Sequence, residues 1–191
     1  MRKQKRYLQN SEKMVQVNIL EDAEESKNLI YGVGECEFGF LFLLVDESEK
    51  IYYSSFPPDK NATSELIEIK KYWPEAEFSE DADKISKMVS RIFSRGDSLK
   101  FDVMLKGTEF QVSVWKAIAN VKEGSTVYYE EIAKAIGNPK AVRAVASAVK
   151  NNKLAYLIPC HRVISKTGGM SKYKWGGDRK VKLLDYEKTP L

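Results

Sequence analysis

Ten consecutive residues constrain this chain more than any other stretch: Tyr156-Leu157-Ile158-Pro159-Cys160-His161-Arg162-Val163-Ile164-Ser165. An apolar run ends at a proline, and a cysteine, a histidine and an arginine follow at once. Such a run, stopped by proline, predicts a buried strand terminus. Lys153 to Cys160 is therefore expected to be a strand that carries a thiol to the end of a core wall, facing a cleft. His161 is the only histidine in the sequence. A cysteine among apolar residues is usually a small, inert core residue. A neighbouring histidine and arginine change that expectation, because they lower a thiol's pKa and only the thiolate is a nucleophile. Successive strand residues face opposite sides, so His161 is expected to reach the sulfur through a water or a local bend.

The chain has 191 residues, enough for one large or two small domains with a core. Two cysteines, Cys36 and Cys160, make no disulfide framework, and a reducing compartment suits a reactive thiol. One histidine and two cysteines are too few for a structural zinc site with four nitrogen or sulfur ligands. No metal and no cofactor is expected. There is no signal-peptide-like segment and no apolar stretch long enough to span a bilayer. The expectation is a soluble, cytoplasmic protein without a membrane partner.

The overall charge of +4 hides an asymmetry. Residues 1–100 hold 15 Lys/Arg against 19 Asp/Glu, while residues 101–191 hold 16 against 8. From Pro139 to Gly177 there are eight basic residues and no acidic one. A stretch of one sign costs self-repulsion unless it meets an opposite charge, so it marks a polyanion-binding face, with nucleic acid the leading candidate. A merely solvated run of lysines is the plainer alternative.

Along the first half, Met1 to Asn10 is a basic start, and Val15, Val17 and Ile19 alternate as in a half-buried strand. Glu21 to Glu25 reads as a solvated turn. Leu29–Val33, Phe38–Val45 and Ile51–Phe56 are three β-segments, with a hairpin loop at Asp46–Lys50. Cys36 falls in the first of their turns and is read as structural. Asn61 or Thr63 caps a helix from Ser64 to Tyr72, stopped by Pro74. Asp81 to Ser94 form a second helix, with Ile85, Met88, Val89 and Ile92 on one face and Gly96-Asp97 as its stop. A domain division at 100/101 follows, giving an N-terminal α/β domain (1–100) and a C-terminal domain (101–191).

The second half opens with Thr108-x-x-Gln111, a capping box for a helix that buries Phe110, Val114, Trp115 and Ile118. Two short helices follow, Tyr129–Ile136 and Pro139–Lys150. Between them Gly137 serves as stop, Asn138 as N-cap and Pro139 as first helical residue. A helix-turn-helix fits this pattern. The second helix has a core stripe (Val142, Val145, Val149), a small face (Ala141, Ala144, Ala148) and a polar, basic face (Arg143, Ser147, Lys150). Small residues beside an arginine suit close approach to a nucleic-acid groove, although helix pairs of this kind are also common in cores. Ser165 to Trp175 is a glycine- and lysine-rich loop. Asp178 caps a last helix, with Val181 and Leu184 inward and Glu187 one turn after Leu183. The fold class is α/β (α+β): a small antiparallel sheet with helices, then a mostly helical half.

Pro159-Cys160-His161-Arg162-Val163 resembles the active-site signature of the O6-alkylguanine-DNA alkyltransferases, suicide DNA-repair proteins. The likeness also covers Gly107-Thr108-Glu109-Phe110-Gln111, Val127-Tyr128-Tyr129, Gly137 to Val145 and Leu183-Leu184-Asp185-Tyr186-Glu187. That is the C-terminal half, in order; the first hundred residues carry no such motif. The resemblance implies a single, irreversible transfer of an alkyl group from O6 of guanine, in double-stranded DNA, to Cys160. His161, through a water, would take the thiol proton, Glu187 would orient the imidazole, and Tyr129 would donate to N3 of the guanine. Arg143 would fill the space left by the flipped base. Ala141 and Ala144, with Lys140, Ser147 and Lys150 beside them, would lie against the minor groove. Val163, Tyr173, Lys174, Asn152 and Arg162 would line or brace the base pocket, and the protein would act as a monomer. Where the family pattern has a serine expected to contact O6, this chain has Lys174, followed by a bulky Trp175.

Two other functions fit parts of the sequence. A cysteine hydrolase needs a histidine hydrogen-bonded directly to the sulfur, and the one histidine here is the neighbour of Cys160. An alkyltransferase-like protein that binds lesions without transfer carries a different residue, commonly tryptophan, where this chain has Cys160.

Overall fold

The structure is a computed structural model and describes residues 15–20, 25–94, 99–166 and 173–188. The basic start, most of the acidic turn at 21–25, Gly96-Asp97 and the centre of the loop at 165–175 lie outside the described residues.

The sheet is built around strand β3, Gly39–Val45, in which every residue from Leu41 to Val45 is buried. Continuous rather than alternating burial requires cover on both faces. Leu41, Leu43 and Val45 join one apolar cluster, while Phe42 and Leu44 join another on the opposite face. β3 pairs antiparallel with β2 (Asn28–Cys36) and β4 (Ile51–Ser55), as the three segments predict. Cys36 is the last residue of β2 rather than part of a turn. Three further strands extend the sheet: β1 (Val15–Leu20), β5 (Glu77–Glu80) and β6 (Leu99–Met104), in the order β1-β6-β4-β3-β2-β5. β1 and β4 run parallel to β6, and β5 runs parallel to β2, so the sheet is mixed rather than purely antiparallel. β6 carries the sheet beyond residue 100, so the expected division at 100/101 falls inside a strand.

Helix α1 (Thr63–Tyr72) covers the face of Phe42 and Leu44, with Ile69 and Trp73 buried there. It starts without the expected side-chain cap: Ala62 is the N-cap, in the left-handed region at φ 47°. Helix α2 (Ala82–Ile92) lies on the other face and is capped by Asp81, whose side chain accepts from the Lys84 amide. It packs close because β2 has glycine where it crosses. A Cβ on Gly34 would lie 2.6 Å from Val89.

The second half begins with α3 (Glu109–Ala119), and the Thr108–Gln111 capping box forms as read from the sequence. Strand β7 (Val127–Tyr128) leads into α4 (Tyr129–Ala135), and Gly137 turns the chain at φ 73°. The next helix, α5, runs only from Val142 to Lys150. Pro139 lies in a turn before it: the Ala141 amide closes on the Asn138 carbonyl, and Ala141 is the N-cap. Strand β8 (Val163–Ile164) pairs parallel with β7, and α6 (Gly177–Lys188) ends the described chain. Val181 on α6 is exposed rather than inward. The cluster containing Leu41 and Leu43 continues through Trp115, Ile118, Val145, Tyr156 and Leu183, so one core joins both halves. Among the described residues no helix is long and apolar enough to cross a membrane.

Candidate active site

The expected strand from Lys153 to Cys160 is a compact turn. Tyr156 sits at φ 66°, which a side chain-bearing residue adopts only at a cost and which no strand contains. The turn is gripped by β4 instead: the Ser54 amide donates to the Lys153 carbonyl at 2.8 Å, and the Ala155 amide donates to the Ser54 carbonyl at 3.0 Å. Asn152, at the end of α5, closes it from inside. Its Nδ2 donates to the carbonyls of Leu154 (3.2 Å) and Ile158 (2.9 Å) and reaches Cys160 Sγ at 3.2 Å. Cys160, His161 and Arg162 then form a single 3₁₀ turn, all three buried.

That turn gives the two neighbours of the thiol one common partner. His161 Nε2 lies 2.6 Å from Glu187 Oε1, with both side chains fully buried. Arg162 forks onto the same carboxylate, with Nη2 2.8 Å from Oε1 and Nε 3.0 Å from Oε2, while Nη1 donates to the Val121 carbonyl at 2.7 Å. Burial alone would raise the Glu187 carboxyl, but the hydrogen bonds and charges of His161 and Arg162 hold it down to about 2. Burial also pushes His161 below its ordinary value, against the pull of Glu187. The carboxylate is thus charged and the imidazole neutral at neutral pH. With Nε2–H donating to the carboxylate, Nδ1 carries the lone pair. Nδ1 is buried and has no partner among the described residues, which leaves it as the atom able to take a proton. Tyr156 packs parallel to the imidazole at 5.9 Å. Arg162 thus braces Glu187 and is not among the residues that line the cleft at Cys160.

Cys160 opens onto a cleft of about 330 Å³ lined by Tyr129, Ser147, Lys150, Tyr173, Lys174 and Lys180 among others. Burial pushes the thiol up, while Asn152, Lys180 and Lys174 oppose it. The cations that bear on the sulfur are therefore two lysines, and Arg162 is committed elsewhere. Lys180 is the residue that sequence reading missed. It is 5% exposed, its ammonium donates to the Val163 carbonyl at 2.8 Å, and burial lowers its pKa against the pull of Cys160. The spacing held a signal: Lys180, Leu183, Leu184 and Glu187 form one helical stripe, a charge at each end of an apolar pair. Tyr129 is half-buried and raised, first by desolvation and then by the charge of Cys160. Tyr173 is buried, its hydroxyl has no partner among the described residues, and burial followed by Cys160 raises it far above the ordinary value. Both phenols stay protonated beside the sulfur. Trp175 packs against Phe56 and Tyr173 and is not among the residues that line the thiol cleft.

Helix α5 forms one wall of this cleft through Ser147 and Lys150. Its outer face holds Arg143, Ala144, Ser147 and Lys150, all exposed, with Lys140 exposed just before it. Ala141 is half-buried and Ala148 is 2% exposed, packed in the core, so the expected small face is split.

The sequence family described as "6-O-methylguanine DNA methyltransferase, DNA binding domain" matches residues 109–189. The bifunctional transcriptional activator/DNA repair enzyme Ada of Escherichia coli is 40% identical over 162 residues, covering 82% of this chain and 45% of Ada. The chain thus spans less than half the length of that relative. The methylated-DNA–protein-cysteine methyltransferase of Methanosarcina acetivorans is 41% identical over 162 residues, covering 83% of this chain and 98% of the relative. Among solved structures, the O6-methylguanine methyltransferase of Mycobacterium tuberculosis superposes with a TM-score of 0.67 at 29% identity, covering 85% of this chain and 95% of that one. The OGT of the same organism in complex with DNA gives 0.65 at 28% identity, covering 83% and 93%. With such identity along nearly the whole of the Methanosarcina protein, and with Cys160 buried in the turn that Asn152 closes, this chain belongs to the methylated-DNA–protein-cysteine methyltransferases.

Proposed function

We propose that this protein repairs DNA by moving the alkyl group from O6 of guanine onto Cys160 Sγ, once per molecule. The observation that carries the reading is the shared wall of the cleft: the basic outer face of α5 borders the same 330 Å³ space as the thiol. α4 and α5 act as a helix-turn-helix whose second helix lies in the minor groove, with Lys140 and Lys150 meeting phosphates. The alkylated base leaves the stack to reach a buried sulfur, which costs a few kcal/mol, and Arg143 fills the vacancy.

In the reaction the Sγ–C bond forms as the C–O6 bond breaks. The thiol proton passes to His161 Nδ1, through a water. Glu187 holds the ring in the tautomer that can accept it and offsets the charge that results. The departing guanine, which carries negative charge, receives a hydrogen bond and then a proton through Tyr129, so that the net proton transfer is from sulfur to guanine. The thioether left on Cys160 has no good leaving group, which ends the protein's activity. Because burial keeps the resting thiol protonated, the nucleophile is made only when it is needed. The protein acts as a monomer in the cytoplasm, where its thiol stays reduced. Transfer is favoured over lesion binding alone because the residue at the centre is a cysteine with a complete proton acceptor beside it.

Intact mass after incubation with excess O6-methylguanine duplex tests this. The expected result is a gain of one methyl, located on the Cys160 peptide and absent in Cys160→Ala. Sustained turnover, or tight binding with no mass change, would sink it.

A further inference from the structure

The chain that brings Tyr173 to the cleft is held from the N-terminal half by a residue which the mechanism above does not use. Among the described residues, those lining the Cys160 cleft all come from the C-terminal half. Arg179, in the first turn of α6, reaches across to the other half. Its Nε donates to the Phe38 carbonyl at 2.9 Å, and its Nη1 donates to the Trp175 carbonyl. The guanidinium carbon lies 4.9 Å from the centre of the Phe56 ring. Phe38 sits in the turn between β2 and β3, and Phe56 directly follows β4. One side chain thus ties two points of the N-terminal sheet to the chain just before α6.

Both ends of this tie are fixed. The Phe38 ring is buried, 5.3 Å from Phe93 and 5.2 Å from Tyr186. At the other end the Gly176 amide donates to the Tyr173 carbonyl at 3.1 Å, closing residues 173–176 into a turn. The Trp175 ring stands edge-on to Tyr173 at 5.3 Å, and Tyr173 stands edge-on to His161 at 6.5 Å. The phenol therefore follows the Trp175 backbone. Among the described residues no carboxylate pairs with Arg179; two carbonyls and a ring face engage it. A planar fork of fixed donors can bridge two carbonyls, where a lysine ammonium is a single point.

We propose that Arg179 is a positioning residue for alkyl transfer: anchored on the N-terminal half, it holds Trp175, and through the turn at 173–176 it sets where Tyr173 meets the alkylated base. The proposal rests on the alkyl-transfer reading above. It gives the N-terminal half, which adds no residue to the cleft lining, a definite part in the reaction.

The test is single-turnover transfer from methylated duplex, resolved into a half-saturating concentration and a limiting rate, across pH. It compares wild type, Arg179→Met, Arg179→Lys, Phe56→Leu and the Phe56→Leu/Arg179→Met double variant. Methionine keeps an apolar stem against Phe56 and loses every donor. Arg179→Met should lower the limiting rate about tenfold, since an ångström of misplacement costs up to about 10²-fold. The half-saturating concentration should change by less than about twofold, because the face of α5 is untouched. The guanidinium does not titrate, so the deficit should be the same at every pH. Arg179→Lys, which reaches one carbonyl and not both, should lose about threefold. Phe56→Leu should lose roughly threefold yet add little to Arg179→Met, because both serve one contact. Acrylamide quenching should rise in Arg179→Met and stay unchanged when the same substitution is made in Trp175→Phe, which assigns the loosening to Trp175 among the three tryptophans. A wild-type limiting rate and quenching in Arg179→Met would overturn the proposal; if that variant does not fold, the same result in Arg179→Lys would. So would a deficit that vanishes at high pH, since Arg179 would then act by its charge on the thiol. Additive losses in the double variant would also overturn it, by separating Arg179 from the N-terminal half. A wild type that transfers nothing would overturn the underlying reading, while quenching would still decide whether Arg179 holds Trp175.

Discussion

Two sets of charges in this molecule work in opposite ways. His161, Arg162 and Glu187 are wholly buried and bonded to one another, with every Glu187 oxygen engaged. Lys140, Arg143 and Lys150 are exposed on or beside α5, and among the described residues none of them is paired with a carboxylate. Buried charge is tolerated only when geometry satisfies it; exposed charge costs little and is free to meet a mobile polyanion. The first set therefore fixes atoms, and the second attracts a ligand. Mutations in the first should change chemistry and folding, whereas those in the second should change binding and its salt dependence.

The largest effects should come from the buried set. His161→Phe and Glu187→Gln should each slow single-turnover transfer by roughly 10²–10⁴, the range of a positioned acid–base group. The double variant should be little worse than the poorer single, because the two act as a unit. Multiplicative losses would show that Glu187 merely anchors α6. Glu187→Gln should also cost about 3–5 kcal/mol of stability, as breaking a buried pair does, by leaving Arg162 uncompensated. The pH dependence has a definite sign. Below about 6.5, the ordinary histidine value, protons bind the unfolded chain and not the buried imidazole, so stability falls. Below about 4.5 Glu187 adds to this: its depressed pKa gives stability that is present above 4.5 and lost as pH falls toward 2. Acid unfolding followed by fluorescence should begin at lower pH in His161→Phe, and the lower limb should flatten in Glu187→Gln.

Next comes Lys180, a buried charge that borders the thiol. Lys180→Met should raise the Cys160 titration and slow transfer about tenfold at neutral pH, with recovery as pH rises and the thiolate forms unaided. A deficit that stays constant with pH would mean that Lys180 serves only to hold the Val163 carbonyl.

How much of this contrast the sequence reveals depends on whether it is local. β2 to β4, the stripe of α2, the capping box of α3 and the stop at Gly137 follow from spacings of a few residues, and all form. The union of Cys160, His161 and Glu187 was suggested by resemblance, and the geometry brings Glu187 onto the imidazole. What failed was set by distant partners. The run from Lys153 reads as a strand until Ser54 and Asn152 bend it, which forces Tyr156 to a positive φ. Arg162, beside the thiol in sequence, serves a carboxylate 25 residues away. Val181 looked like an inward residue because it is apolar, but the buried stripe of α6 is set by Lys180 and Glu187, which an apolar pattern discounts. β6 alternates apolar and charged residues across the same stretch in which the charge asymmetry reads as a division between halves.

Among the exposed cations Arg143 should have the larger effect. Arg143→Ala should slow repair of duplex tenfold or more while changing reaction with free O6-benzylguanine by less than about twofold, since only the duplex pays an unstacking cost of a few kcal/mol. Equal losses on both substrates would remove Arg143 from base extrusion and leave it a phosphate contact.

Lys140 should show the smallest effect and the cleanest contrast with the buried set. It lies in the turn before α5, exposed and away from the cleft lining. If it meets a phosphate, Lys140→Ala should weaken duplex binding a few-fold, by the same factor for methylated and unmethylated DNA, because phosphates carry no lesion. The slope of log affinity against log salt should fall by about 0.9, the value for one phosphate contact on duplex DNA. Transfer at saturating duplex should stay as fast as in the wild type, for no atom of Lys140 borders the sulfur. Fluorescence anisotropy across a salt series, with single-turnover rates at saturation, measures all three. An unchanged salt slope would place Lys140 outside the DNA footprint, and a lowered rate at saturation would show that the exposed and buried charges are coupled after all.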